Sequence, residues 1–137
     1  MSVGLHPYLN FDGRTAEAMA FYQRCLGGEL SVMRFAGSPM PHAPEHADRV
    51  MHASLKAGDV VIMASDTRPG EPAVHGNGVN LSLNFDNEAE LRDTWAKLSE
   101  GATITMALEQ QFFGLFGVLT DRFGLSWMVH YAAEQQG

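Results

Sequence analysis

The residues best suited to chemistry stand near the start of the chain. His6, Tyr8 and Asn10 recur at every second position. A strand sends alternate side chains to opposite faces, so an imidazole, a phenol and a carboxamide share one side. Such groups donate, accept and exchange protons with a small ligand. Leu5, Leu9 and Phe11 fall on the other side, where a covering helix is expected. His52 stands with Val50 and Ser54 on one face of a later strand and reads either as a site residue or as a satisfied core or interface histidine. His130 follows Met128 by two residues and shares its strand face. Glu109-Gln110-Gln111-Phe112-Phe113 reads as an ordinary loop with buried phenylalanines; its other reading is a carboxylate with aromatic walls for a binding site. His42 and His46 lie in a Pro-rich loop, Gly37 to Ala47, long enough to act as a lid, and read equally as surface residues. Ser65-Asp66 ends a strand and is expected to cap the segment that follows. No serine or cysteine triad is legible, and Cys25 falls on an apolar helix stripe as an inert core thiol.

An internal repeat supplies the elements that must position these residues. Leu9-Asn10-Phe11-Asp12 recurs as Leu83-Asn84-Phe85-Asp86, an offset of 74, and Gly27 and Phe21 map to Gly101 and Trp95. The offset carries His6, Tyr8 and Asn10 onto Asn80, Ser82 and Asn84. In the first module a strand over 5–11 precedes a helix over 16–26, with Thr15 available as its N-cap and Ala18, Phe21, Tyr22, Cys25 and Leu26 on one stripe. Gly27-Gly28 ends that helix, and strands follow near 29–35, 49–57 and 60–65. In the second module a strand over 79–85 precedes a helix opened by Asn87 and Glu90 in the manner of a capping box, with Leu91, Trp95 and Leu98 as its stripe. Strands follow near 102–108, 116–120 and 125–131, the last two joined by the turn Asp121-Arg122-Phe123-Gly124. The expected fold is α+β: two tandem βαβββ modules, about 1–66 and 79–137, in a single domain with a linker at about 67–78. One helix covers one face of each sheet, so the two sheets are expected to form a cup with helices outside and a shared cavity inside.

Composition narrows the function classes. The chain has 137 residues, 16 acidic against 9 basic, and a net charge of -7, which disfavours nucleic acid. The N-terminal segment lacks a basic start and a long apolar run, so no signal peptide is expected, and the longest apolar stretch, Val60 to Ala64, is far too short to cross a bilayer. One cysteine excludes an internal disulfide and fits a reducing compartment, so a cytoplasmic protein with no membrane partner is expected.

The order of motifs resembles the vicinal oxygen chelate superfamily of glyoxalase, bleomycin-resistance and extradiol-dioxygenase proteins, and within it the PhnB-like branch. The matching stretches include Pro7-Tyr8-Leu9-Asn10-Phe11-Asp12-Gly13, Gly27-Gly28-Glu29-Leu30, Met51-His52-Ala53-Ser54-Leu55, Met63-Ala64-Ser65-Asp66 and Asp121 to Met128. Phe112-Phe113-Gly114 departs from close relatives, which often carry a tryptophan beside the phenylalanine. Metal-dependent members place four ligands on the first and last strands of each module. By resemblance those positions are His6, Met63, Asn80 and Met128 here, and His6 alone retains a family ligand. One imidazole with no carboxylate suits zinc, nickel or ferrous iron poorly, so no metal or other cofactor is expected.

The resemblance therefore implies a metal-free protein with a small-molecule-binding cavity and an unknown ligand. Its candidate lining is His6, Tyr8, Asn10, His52, Met63, Asn80, Ser82, Glu109, Met128 and His130. It would sequester its ligand or act on it through hydrogen bonding and acid–base groups alone. One alternative is a metal-dependent lyase, isomerase or dioxygenase with a displaced site at His130 or His52. Another is a structural or regulatory dimer in which Met63, Met128 and Tyr8 fill the cavity. A homodimer is expected in each case. Some PhnB-like proteins carry a demethylubiquinone methyltransferase label; this chain has no strand, glycine-rich turn and helix for a nucleotide-like cofactor and is too short for a methyltransferase fold.

Overall fold

A computed structural model describes residues 3–133. The chain divides between Val74 and His75 into two compact units. In the first, β1 (Tyr8–Phe11), α1 (Thr15–Leu26), β2 (Glu29–Arg34), β3 (Val50–Ala57) and β4 (Val60–Asp66) follow in order. Its four strands lie side by side as β1-β4-β3-β2, with β1 parallel to β4 and the other pairs antiparallel. The second unit repeats this with β5 (Leu81–Phe85), α2 (Glu88–Leu98), β6 (Thr103–Gln111), β7 (Gly114–Thr120) and β8 (Ser126–Tyr131), ordered β5-β8-β7-β6. The architecture is the α+β pair of βαβββ modules that the repeat predicts.

Each helix buries one stripe against one sheet face. Ala18, Met19, Phe21, Tyr22 and Cys25 of α1 are buried with Leu9, Phe11, Ala53, Leu55, Ile62 and Ala64 of the strands. In the second unit Leu91 and Leu98 of α2 are buried with Leu83, Leu115, Leu119, Trp127 and Val129. Each large apolar side chain so covered contributes about 1.5–3 kcal/mol. Gly117 lets α2 approach β7: a Cβ there would stand 2.8 Å from the Trp95 ring.

Several local expectations are corrected. The opening strands begin later than their alternation predicts, at Tyr8 rather than Leu5 and at Leu81 rather than Val79. Pro7 has no N–H to extend the ladder, and the pairing of β5 with β8 starts at Leu81 opposite Trp127. Leu5 is 94% exposed and so does not join Leu9 and Phe11 against the helix. Glu109, Gln110 and Gln111 continue β6 rather than forming a loop, and Phe112-Phe113 is a two-residue hairpin turn into Gly114. The two phenylalanines are not buried: Phe112 is 99% exposed and Phe113 43%.

Helix capping differs too. Arg14, not Thr15, precedes the first turn of α1, and its side chain makes no cap. The orphan amide of Thr15 instead donates to Asp66 Oδ1 at 3.1 Å, and the Thr15 hydroxyl donates to the same oxygen at 2.7 Å. Asp66 Oδ2 accepts from the Val50 amide at 2.8 Å. The carboxylate thus ties the start of α1 to the start of β3 instead of capping the segment after it. Asn87 behaves as expected, its Oδ1 accepting from the Glu90 amide at 2.8 Å. In the second unit the buried carboxylate is Asp121. Its Oδ1 accepts from the amides of Phe123 (2.8 Å) and Leu125 (3.1 Å), and its Oδ2 from Trp127 Nε1 (2.7 Å).

Each carboxylate satisfies three donors, part-buried around Asp66 and buried around Asp121. Asp66→Ala and Asp121→Ala are expected to cost about 3 kcal/mol each. Asp121→Asn, which keeps one acceptor oxygen, is expected to cost less. Urea denaturation followed by Trp fluorescence checks the order; a change below about 0.5 kcal/mol in either alanine variant would contradict these roles.

Candidate functional site

The face of each sheet turned away from its helix carries the candidate residues. In the first unit Tyr8 pairs with Met63, Met63 with Ser54 and Ser54 with Ser31, so these four form a row across all four strands. Asn10 stands opposite Ser65 and His52 opposite Met33. Tyr8 and His52 reach over the intervening β4: the phenolic oxygen lies 3.1 Å from His52 Nδ1, and the ring centroids are 5.7 Å apart. Tyr8 is 45% exposed, while His52 is half-buried. This bond has two polarities. Either the phenol donates to Nδ1 and turns its lone pairs outward, or Nδ1–H donates to the phenol and frees its O–H.

The second unit has the corresponding rows. Ser82 pairs with Met128, Met128 with Val118 and Val118 with Met106. Asn84 pairs with His130, His130 with Phe116 and Phe116 with Glu109. Met63 opposite Tyr8 and Met128 opposite Ser82 therefore hold equivalent places in the two sheets, because the 74-residue offset carries Tyr8 onto Ser82. His130 Nε2 donates to the Phe113 carbonyl at 2.9 Å, which leaves Nδ1 as the acceptor of the neutral ring. That bond and the ring contacts of Phe113 with Phe116 (5.3 Å) and His130 (5.9 Å) fold the hairpin turn back over the sheet face.

The remaining candidates sit apart from these rows. His6 and Asn80 are exposed and precede their strands. His42 Nδ1 donates to Met40 O at 2.9 Å within the loop, and His46 ends a short 3-10 turn, Pro44–His46. Cys25 is a buried free thiol. Phe116 and Met33 join the sheet faces without a signal in the motifs, while Phe113 belongs to the segment whose second reading is an aromatic wall. Alternation between buried Leu115 and Gly117 is the available signal for Phe116.

The four family ligand positions do not fit a divalent metal. They offer one imidazole, two thioethers and a carboxamide, with no carboxylate to balance the ion. The histidines of a displaced site are each engaged through one ring nitrogen, His52 with Tyr8 and His130 with Phe113. Among the described residues no three His, Cys, Asp or Glu side chains group as ligands would.

Comparison with known proteins places this geometry. A glyoxylase/bleomycin resistance protein/dioxygenase domain from Frankia sp. EAN1pec has the same fold at 16% identity, with a TM-score of 0.68 over 96% of this chain and 98% of that one. That likeness shows the fold, two successive βαβββ units. A family model described as 3-demethylubiquinone-9 3-methyltransferase matches residues 4–130, and the chain belongs to that PhnB-like family. Protein YjdN of Escherichia coli (strain K12) is 31% identical over 96% of this chain and 97% of its own length. Protein PA1353 from Pseudomonas aeruginosa is 40% identical with a TM-score of 0.87, covering 97% of this chain and 100% of that chain. A putative 3-demethylubiquinone-9 3-methyltransferase, PhnB protein, from Bacillus cereus is 25% identical with a TM-score of 0.77, over 95% of this chain and 100% of that chain.

Gly114 is the residue on which the folded-back turn depends. Its φ is +133°, and a Cβ there would stand 2.5 Å from Tyr131 O and 2.9 Å from His130 Nε2. Gly114→Ala is expected to lose the His130–Phe113 bond and destabilise the unit by more than about 1 kcal/mol. Imidazole 15N NMR of His130 checks this; an unchanged Nε2 signature would refute it.

Proposed function

We propose that this protein binds a small molecule without a divalent metal, using the Tyr8–His52 pair as its polar anchor. The hydrogen bond between these side chains across the uncovered face of the first sheet carries the reading. It offers a ligand either a donor or an acceptor, and Met63 and Met33 beside it supply adaptable apolar contact. The same pair can pass a proton to or from a bound oxygen, so acid–base chemistry on the ligand needs no further group. His6, Asn10, Asn80, Ser82, Glu109, Met128 and His130 complete the candidate binding residues of the two units. Methyl transfer, named in the family's description, finds no support in two βαβββ units, which lack the strand, glycine-rich turn and helix that cradle nucleotide-like cofactors.

We place the protein in the cytoplasm as a homodimer. The buried free Cys25 and the charge of -7 support the compartment. No helix among the described residues is long and apolar enough to cross a membrane. The edge strands β2 and β6 support self-association, since they expose Val32, Met33, Ile104 and Met106. Light scattering during gel filtration is expected to give twice the 15.0 kDa chain mass, and a mass of 15.0 kDa would refute the dimer.

A fragment screen by NMR tests the binding reading. Fragments that shift the resonances of Met63 and His52 are expected to lose about tenfold in affinity on Tyr8→Phe, which removes one hydroxyl and keeps the ring. Hits indifferent to both Tyr8→Phe and His52→Gln would overturn it. So would stoichiometric zinc, nickel or iron in gently purified protein that disappears on His6→Ala.

A further inference from the structure

We propose that the β6–β7 hairpin of the second unit is a binding site for an organic cation of the alkylammonium class. The proposal rests on this hairpin and not on the Tyr8–His52 pair. Three phenylalanine rings meet there at steep angles. Phe112 and Phe113 are 5.1 Å apart between centroids with planes at 90°, and Phe113 and Phe116 are 5.3 Å apart at 73°. In an edge-to-face pair one ring keeps both faces and the other keeps one, and such open faces attract a cation.

The turn holds these rings where core packing would otherwise take them. Phe112 is 99% and Phe113 43% exposed, although aromatic side chains of this size gain most by burial. The bond from His130 Nε2 to the Phe113 carbonyl and the steric demand at Gly114 keep the turn in that place. His130, 5.9 Å from Phe113 between ring centroids, adds a fourth ring. Its neutral form presents Nδ1 as an acceptor, which a primary or secondary ammonium can use.

A counter-charge stands beside the rings. Glu109 lies directly opposite Phe116 in the β6–β7 ladder, and opposite residues project from the same face with Cβ atoms about 4.5–5.5 Å apart. Its carboxylate makes no hydrogen bond or ion pair among the described residues. The three cationic side chains of this unit are engaged elsewhere: Arg92 with Glu88, Lys97 with Asp93 and Arg122 with Glu100. Glu109 thus offers an uncompensated negative charge next to aromatic faces. The acidic chain raises the local concentration of any cationic ligand.

Choline and its neutral isostere 3,3-dimethylbutan-1-ol separate charge recognition from plain apolar contact. Titration of the full chain, followed by 1H–15N NMR, is expected to show choline shifting the amides of Glu109, Phe113 and Phe116. The isostere should bind at least about tenfold more weakly. Glu109→Gln and Phe113→Leu, both at exposed positions, should each weaken choline by about five- to tenfold. Equal affinity for the isostere would overturn the proposal, because the patch would then be merely apolar. Full choline affinity in either variant, or no shift by choline at up to about 50 mM, would overturn it as well.

Discussion

A single helix can cover only one face of a four-stranded sheet, and everything that makes this protein a candidate binder depends on that. In each unit the strands carry apolar residues at every second position toward the helix, and the intervening, mostly half-buried positions point away from it. The uncovered positions hold Tyr8, Asn10, His52 and Met63 in one unit and Ser82, Asn84, Glu109, Phe116, Met128 and His130 in the other. Alternation does not itself choose these residue types. It guarantees only that whatever stands there is presented together, in rows set by strand register.

The register depends in turn on two carboxylates. A mixed sheet of this topology must return its last strand beside its first, and the ends of those strands meet a helix start or a tight turn. Asp66 holds the starts of α1 and β3 together from the end of β4. Asp121 pins the turn before β8 to Trp127 inside the core. The two residues are not equivalent under the repeat, yet each satisfies backbone amides that would otherwise be buried without partners. The positions of Met63 and Met128 opposite Tyr8 and Ser82 follow from strands fixed in this way.

The two units share one architecture while their faces differ in chemistry. Tyr8 faces Met63 where Ser82 faces Met128, and Asn10 faces Ser65 where Asn84 faces His130. The first face has a phenol–imidazole pair suited to hydrogen bonding and proton exchange. The second has aromatic rings and a free carboxylate. Thioethers at the central positions of both favour soft, adaptable contact over coordination of a hard divalent ion.

The sequence by itself determined the βαβββ repeat, the helix stripes and the alternation that sets Tyr8 with Asn10 and Met128 with His130 on one strand face each. These are properties of period and order along the chain, so they survive without knowledge of any contact. Family membership was legible for the same reason, because the motifs recur in order. Tertiary structure alone decided the rest. The cap of α1 comes from a carboxylate 51 residues away, which the local turn chemistry of Thr15 could not reveal. Tyr8 and His52 meet across a third strand, so their bond depends on strand order in the sheet and not on spacing in the chain. The alternating pattern extends beyond the paired part of each opening strand, because Pro7 has no N–H to continue β1 and β8 begins only at Ser126, one residue before the Leu81–Trp127 pair. The apolar side chain of Phe113 predicts burial from sequence alone. Its actual place is set by a glycine at positive φ and a histidine 17 residues on, two constraints that act only after β6, β7 and β8 have been brought side by side.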